Sequence, residues 1–176
     1  MPRYAAFLRA INVGGHVVKM DALRRMFESA GCSEVETVIA SGNVIFSSAS
    51  KSSDAVAAKL ARHLEESLGY EVGTFVRTPA ELAEAVNRNP FPDGEGYGVY
   101  VGFMAGPPAA AAVRKLRALE TEIDEFRVVG RELYWLCRGH VGQSKFAAGL
   151  IEKTLAAPAT MRKVTTVRKM AARCPC

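Results

Sequence analysis

No apolar run in this 176-residue chain approaches the ~20 residues that a membrane-spanning helix needs, so no membrane partner is expected. The start, Met1-Pro2-Arg3-Tyr4-Ala5-Ala6-Phe7, lacks the apolar core and small-residue cleavage site of a secretory leader. Cysteine is sparse, and none of Cys32, Cys137, Cys174 and Cys176 forms a Cys-x-x-Cys pair. Reduced thiols and a cytoplasmic location are the expectation. The three histidines (His16, His63 and His140) are scattered, with no carboxylate at ligand spacing, so no metal site and no cofactor is expected. Neither a GxGxxG fingerprint nor a Walker A loop is present, and no Ser-His-Asp or Cys-His set stands out. Acidic residues are missing from 158 onward, where Arg162, Lys163, Arg168, Lys169 and Arg173 account for the whole net charge of +5. The basicity belongs to a tail rather than to a general surface.

What remains is an ordinary globule, 49% hydrophobic and 23% charged, long enough to bury a core. Arg3 to Ile11 is nearly continuous apolar, the pattern of a central strand buried on both faces. Met20, Leu23, Phe27 and Ala30 recur at helical spacing up to Gly31. Val35–Ile39 and Val44–Ser48 read as a hairpin around Ala40-Ser41-Gly42-Asn43. Ser53 reads as the cap of a helix bearing Val56, Leu60, Leu64 and Leu68, and Val72–Arg77 follows as a strand. That order is βαββαβ, the ferredoxin-like or split-βαβ unit. Thr78-Pro79-Ala80-Glu81 is a capping box with proline at the first helical position.

The breaker-rich Asn89–Gly96 stretch marks a boundary, giving a first subdomain over 1–92 and a second over 93–176. In the second, Tyr97–Met104, a helix with Val113, Leu116 and Leu119, a hairpin around Gly130-Arg131, and a helix with Phe146, Leu150, Ile151 and Leu155 repeat the pattern. No final strand is evident. A basic helix over roughly 162–172, with Val164, Val167 and Met170 on one face, closes the chain. The expected class is α+β: two ferredoxin-like halves, with antiparallel-mixed sheets and helices packed on one face.

Two glycine-rich loops are candidate sites. Arg9 lies near the end of the first strand and Asn12, Gly14, Gly15 and His16 follow it, where paired glycines expose backbone N–H groups to an anion and the next helix adds its positive end. The first and third strands of such a unit are expected to be parallel neighbours, so this loop shares an edge with Ser47–Ser53. Gly142, Ser144 and Lys145, in Arg138–Lys145, look equivalent in the second half, with Ser-Lys opening a helix. His16 and His140 would then correspond. A small anionic ligand is the expected partner. A second reading assigns nucleic-acid or protein contact to Arg162, Lys163, Arg168 and Lys169 on the tail. The sheets themselves lack the RNA-binding aromatic signature: Gly96-Tyr97-Gly98 begins like it, but Val99, Tyr100 and Gly102 depart from it.

Leu8-Arg9-Ala10-Ile11-Asn12-Val13-Gly14-Gly15 resembles the LRGINVGG opening of the bacterial family called domain of unknown function 1697. Ser41–Phe46 resembles its SGNVVF hairpin, Asn89-Pro90-Phe91 its NPF turn, and Gly142–Lys145 its GxSK motif. The resemblance implies a small cytosolic protein of two ferredoxin-like halves, and no catalytic residue. The chain departs from it at Ala10, where the family usually has Gly. It departs again over Thr160–Thr166, where the family tends to show TxRNWxT.

Overall fold

The computed structural model describes residues 1–12, 14–39, 42–147 and 149–176. The chain divides into two compact units, Met1–Glu84 with Arg168–Cys176, and Ala85–Val167.

In the first unit, β1 (Arg3–Arg9) is the inner strand between β3 (Asn43–Ser47) and β4 (Gly73–Arg77), with β2 (Ser33–Thr37) beyond β3. Tyr4, Ala6 and Leu8 join Val44 and Phe46 in a core with Leu23 and Phe27 of α1 (Met20–Ser29) and Val56, Leu60 and Leu64 of α2 (Ser53–Leu68). Ala5 and Phe7, on the opposite face of β1, are buried as well, which is why this strand reads as an unbroken apolar run. Leu23, Phe27 and Ala30 and, in α2, Val56, Leu60 and Leu64 are buried as the periodicity predicts, whereas Met20 is exposed and Leu68 half-buried. Ser52 rather than Ser53 caps α2, accepting from the Ala55 amide at 3.2 Å. β2 ends at Thr37, short of the expected Ile39, whose φ of 68° is incompatible with an extended strand. Ala40 and Ser41, two residues of the expected hairpin turn, lie outside the described residues.

All strand pairs described in this sheet are antiparallel, including β1 with β3 (Arg3 opposite Ser47, Phe7 opposite Asn43). The expected parallel pairing of the first and third strands is therefore corrected. The helical crossover makes β2 run with β1 but leaves a gap between them, and the hairpin reverses β3 into that gap.

α3 (Pro79–Asn87) opens on the expected capping box. The Thr78 amide donates to Glu81 Oε2 at 2.8 Å, and the Glu81 amide donates to Thr78 Oγ1 at 3.2 Å.

The second unit repeats the scheme with β5 (Gly98–Phe103), α4 (Ala110–Ala118), β6 (Asp124–Val129), β7 (Glu132–Cys137), α5 (Leu150–Leu155) and β8 (Thr160–Lys163), and α6 (Val164–Arg173) follows. Its sheet order β6-β7-β5-β8 matches β2-β3-β1-β4, and its described pairs are again antiparallel. The chain is thus an α+β protein of two like ferredoxin-like halves.

The fourth strand, β8, was not expected. Four residues ending in Arg162 and Lys163 carry no alternating apolar signal, and pairing with β5 is what holds them extended. Gly102 belongs to this contact, since a Cβ there would stand 2.6 Å from the Met161 sulfur. Downstream, α6 buries Val164, Val167 and Met170 as its periodicity predicts.

Ala10 adopts a φ of 62°, a left-handed conformation that costs an L-residue about 1–2 kcal/mol. Replacing it by glycine removes that strain but loosens the unfolded chain, which offsets about 0.4–1 kcal/mol. Ala10→Gly is expected to raise the unfolding free energy by roughly 0.5–1 kcal/mol, read as a higher urea midpoint at unchanged m-value.

Candidate ligand loops

The loop after β1 is closed by its own side chains. Asn12 Oδ1 accepts from the Val18 amide at 2.8 Å, which turns the chain back with Val18 buried. Gly14 and Gly15 have φ of 63° and 82°, where any other L-residue is strained, and the space around a Cβ at Gly15 is open for 4 Å. The exposed His16 ring stacks on Tyr70 with centroids 4.2 Å apart. The Tyr70 hydroxyl in turn donates to the Ile11 carbonyl at 2.6 Å, tying the loop to the segment between α2 and β4. Val13 lies outside the described residues. Arg9, half-buried, ends β1 opposite Gly73.

Two expectations for this loop change. Because β3 runs antiparallel, the loop shares its edge with Gly42–Asn43 and Gly73, while Ser47 lies at the far end opposite Arg3. The glycines also do not sit on the positive end of a helix: α1 begins at Met20, after Lys19 in the cap position. A cavity of about 220 Å³ between the start of α1 and β2 carries Asp21, Arg24 and Glu36. Asp21 is paired with Arg24 at 3.1 Å, and Glu36 with Arg173.

The second loop differs in place and in chemistry. It follows β7, the third strand of its unit, so its counterpart in the first unit is the loop between β3 and α2 rather than Asn12–Lys19. His140 and His16 therefore do not occupy equivalent positions. Gly142 lies in a 3-10 turn, Val141–Gln143, and Ser144 is extended (φ −80°, ψ 136°). The first residue of α5 is Leu150, so Ser144-Lys145 opens no helix, contrary to expectation. Phe146, Ile151 and Leu155 are nonetheless buried as predicted, and Leu150 is half-buried. Lys145 is exposed, with Nζ 5.4 Å from the centroid of the Phe146 ring.

Ser144 is turned inward by a residue that sequence reading missed. Asp124, 1% exposed, accepts at Oδ1 from Ser144 Oγ (2.7 Å) and Trp135 Nε1 (2.9 Å), and at Oδ2 from Thr121 Oγ1 (2.8 Å). Three donors on one carboxylate satisfy a group that is costly to bury alone. The Ser144 oxygen also accepts from the Phe146 amide at 3.1 Å, so the hydroxyl locks the loop and is not free to bind. The sequence signal for Asp124 was slight: a Thr-x-x-Asp spacing where a strand begins.

Arg138, at the start of the same loop, is held by Glu125 at 2.7 Å, and Arg127 holds the other carboxylate oxygen at 2.8 Å. The hydrogen bond from Arg138, with the two guanidinium charges, keeps the Glu125 carboxyl below its ordinary range against the opposing effect of burial.

In the tail, Lys163 and Lys169 are exposed, Arg168 is half-buried, and Arg173 pairs with Glu36. Arg162 is half-buried in β8, and its Nη1 donates to Thr160 Oγ1 (2.7 Å) and to the Met161 carbonyl (2.9 Å). Desolvation pushes its pKa down to about 10, still fully charged at neutral pH. Among the described residues, no group of three His, Cys, Asp or Glu side chains is placed to hold a metal ion. None of the described helices is long and apolar enough to cross a membrane.

Fold and loops together define a small α+β protein of two like split-βαβ units. The chain belongs to the family described as protein of unknown function DUF1697, whose model matches residues 1–134. In fold it is similar to the conserved bacterial protein SP0830 from Streptococcus pneumoniae, with a TM-score of 0.79 at 21% identity over 98% of each chain. At that identity the likeness shows the fold alone. No curated protein matches the chain.

Asp124→Ala is expected to cost about 3 kcal/mol, because it strands buried donors. Urea unfolding followed by Trp135 fluorescence measures the loss. Glu125 has a lowered native pKa, so the stability it confers is complete above its ordinary value near 4.5 and is lost as pH falls through the native pKa. Glu125→Gln should therefore be less stable than the parent at neutral pH, with the difference closing on acidification.

Proposed function

We propose that the protein binds a small anionic molecule at the loop Asn12–Val18. The observation that carries this reading is the loop's preorganisation. Two consecutive left-handed glycines are closed by the Asn12–Val18 bond and braced by Tyr70. A loop already fixed in shape loses little entropy when it closes on a ligand, and glycine backbone lets a phosphate or carboxylate approach the amides. His16, on its aromatic platform, offers a ring nitrogen beside them. Gly142 and Ser144 drop out of this reading because the Ser144 hydroxyl is engaged with Asp124, and Lys145 is retained only as an exposed cation of the other unit.

The competing reading, nucleic-acid or protein contact through the basic tail, loses support because the apolar stripe of α6 is buried and Arg173 is paired. Truncating the tail would remove the core residues Val167 and Met170, so charge reversal is the better probe.

A thermal-shift screen against inorganic phosphate, nucleotides, sugar phosphates, carboxylates and short oligonucleotides tests both readings. Ligand at 100 times its Kd adds about 2.7 kcal/mol to stability. The expected result is a small-anion response that Gly15→Val and His16→Ala abolish and Lys145→Ala leaves intact, each variant first shown to be folded by circular dichroism. A response to oligonucleotides alone, lost in the Lys163→Glu, Lys169→Glu double variant, would overturn the loop reading.

A further inference from the structure

A separate cavity lies at the other edge of the first sheet from the Asn12–Val18 loop. It is about 200 Å³ in volume, between the end of α1, the loop after β3 and the first turns of α2. Its walls include Ala30, Val56 and Leu60, each largely buried. The rim is held in place. The Tyr4 hydroxyl donates to the Ser50 carbonyl at 2.7 Å, the Ser48 amide donates to the Pro2 carbonyl at 3.0 Å, and Ser52 caps α2. Lys59 stands at the mouth with Nζ 3.4 Å from where a Gly31 Cβ would lie, so the absence of a side chain at Gly31 makes room for the ammonium. Among the described residues, no carboxylate pairs with Lys59. Cys32, half-buried, lines the same cavity.

We propose that this cavity binds a short aliphatic monocarboxylate, with its alkyl part against Ala30, Val56 and Leu60 and its carboxylate on the Lys59 ammonium. Size limits the ligand: at ~30 Å³ per water-sized group, the space takes about six heavy atoms, fewer than a drug-sized pocket holds. Charge sets its sign, because Lys59 is the one charged side chain among the described residues that line the cavity. Cys32 is not an activated nucleophile: burial raises its thiol pKa, and the nearby Lys59 only partly opposes that. Its place in the wall makes it a reporter of occupancy. This inference is independent of the Asn12–Val18 reading, since the two sites share no residue.

The test is alkylation of Cys32 in the folded full-length protein, followed by peptide mass mapping with Cys176 as the exposed reference. Millimolar butyrate is expected to slow modification of Cys32 by iodoacetamide without affecting Cys176, while butanol does neither. The rate ratio of iodoacetate to iodoacetamide at Cys32 should fall about fivefold in Lys59→Met, which keeps the apolar stem and removes the charge. Butyrate protection should disappear in the same variant. The proposal is overturned if butyrate gives no protection, if butanol protects equally, if Lys59→Met changes neither quantity, or if Cys32 is inert to both reagents until the protein unfolds.

Discussion

The antiparallel pairing of the first and third strands of each unit fixes where every loop can act. β1 meets β3 with Arg3 opposite Ser47, and β5 meets β7 with Gly98 opposite Cys137. A loop leaving the first strand and a loop leaving the third must therefore open at opposite edges of the same sheet. In the first unit this separates the glycine loop after Arg9 from the Cys32 and Lys59 cavity next to Ser48–Ser50. In the second it places the Arg138–Lys145 loop in the role of the β3–α2 loop. The two sheets have matching strand orders, but their glycine-rich loops are not copies of one another.

Within that frame, the two loops are stabilised by different chemistry. Asn12–Val18 is shaped by backbone conformation, through glycines that tolerate positive φ and an amide side chain that closes the turn. Arg138–Lys145 is shaped by a buried charge: Asp124 draws in Ser144, Trp135 and Thr121, and Arg138 is taken up by Glu125 outside. The first device leaves backbone exposed, whereas the second consumes the polar groups that made the loop look like an anion site. That contrast separates a candidate binding loop from a structural one.

Much of the fold was legible in the chain. The unbroken apolar run of β1 follows from burial on both faces, the spacing of Val56, Leu60 and Leu64 from one buried helix face, and the capping box at Thr78 and Glu81 from the unpaired amides of a helix start. β8 was illegible because an edge strand of four residues, ending in Arg162 and Lys163, takes its conformation from its partner β5 and not from its own pattern. The helix assumed after Ser144 failed for a similar reason. Phe146, Ile151 and Leu155 are buried at plausible spacing, yet the Ser144 hydroxyl and the left-handed Gly149 hold the first part of the segment out of a helix.

The sequence by itself determined what short-range physics controls: most of the strands and helices, with β8 and the stretch after Ser144 as exceptions, where the glycines and capping residues interrupt them, and that the pattern occurs twice. Only the tertiary structure decided which loops share an edge, that a lone aspartate organises the second loop, and that Cys32 and Lys59 line one cavity. The physical reason is range. Periodicity and turn chemistry act within a few residues of the chain. Strand direction, the burial of Asp124 and the meeting of α1 with α2 arise from contacts between residues far apart in sequence, and no local pattern encodes them.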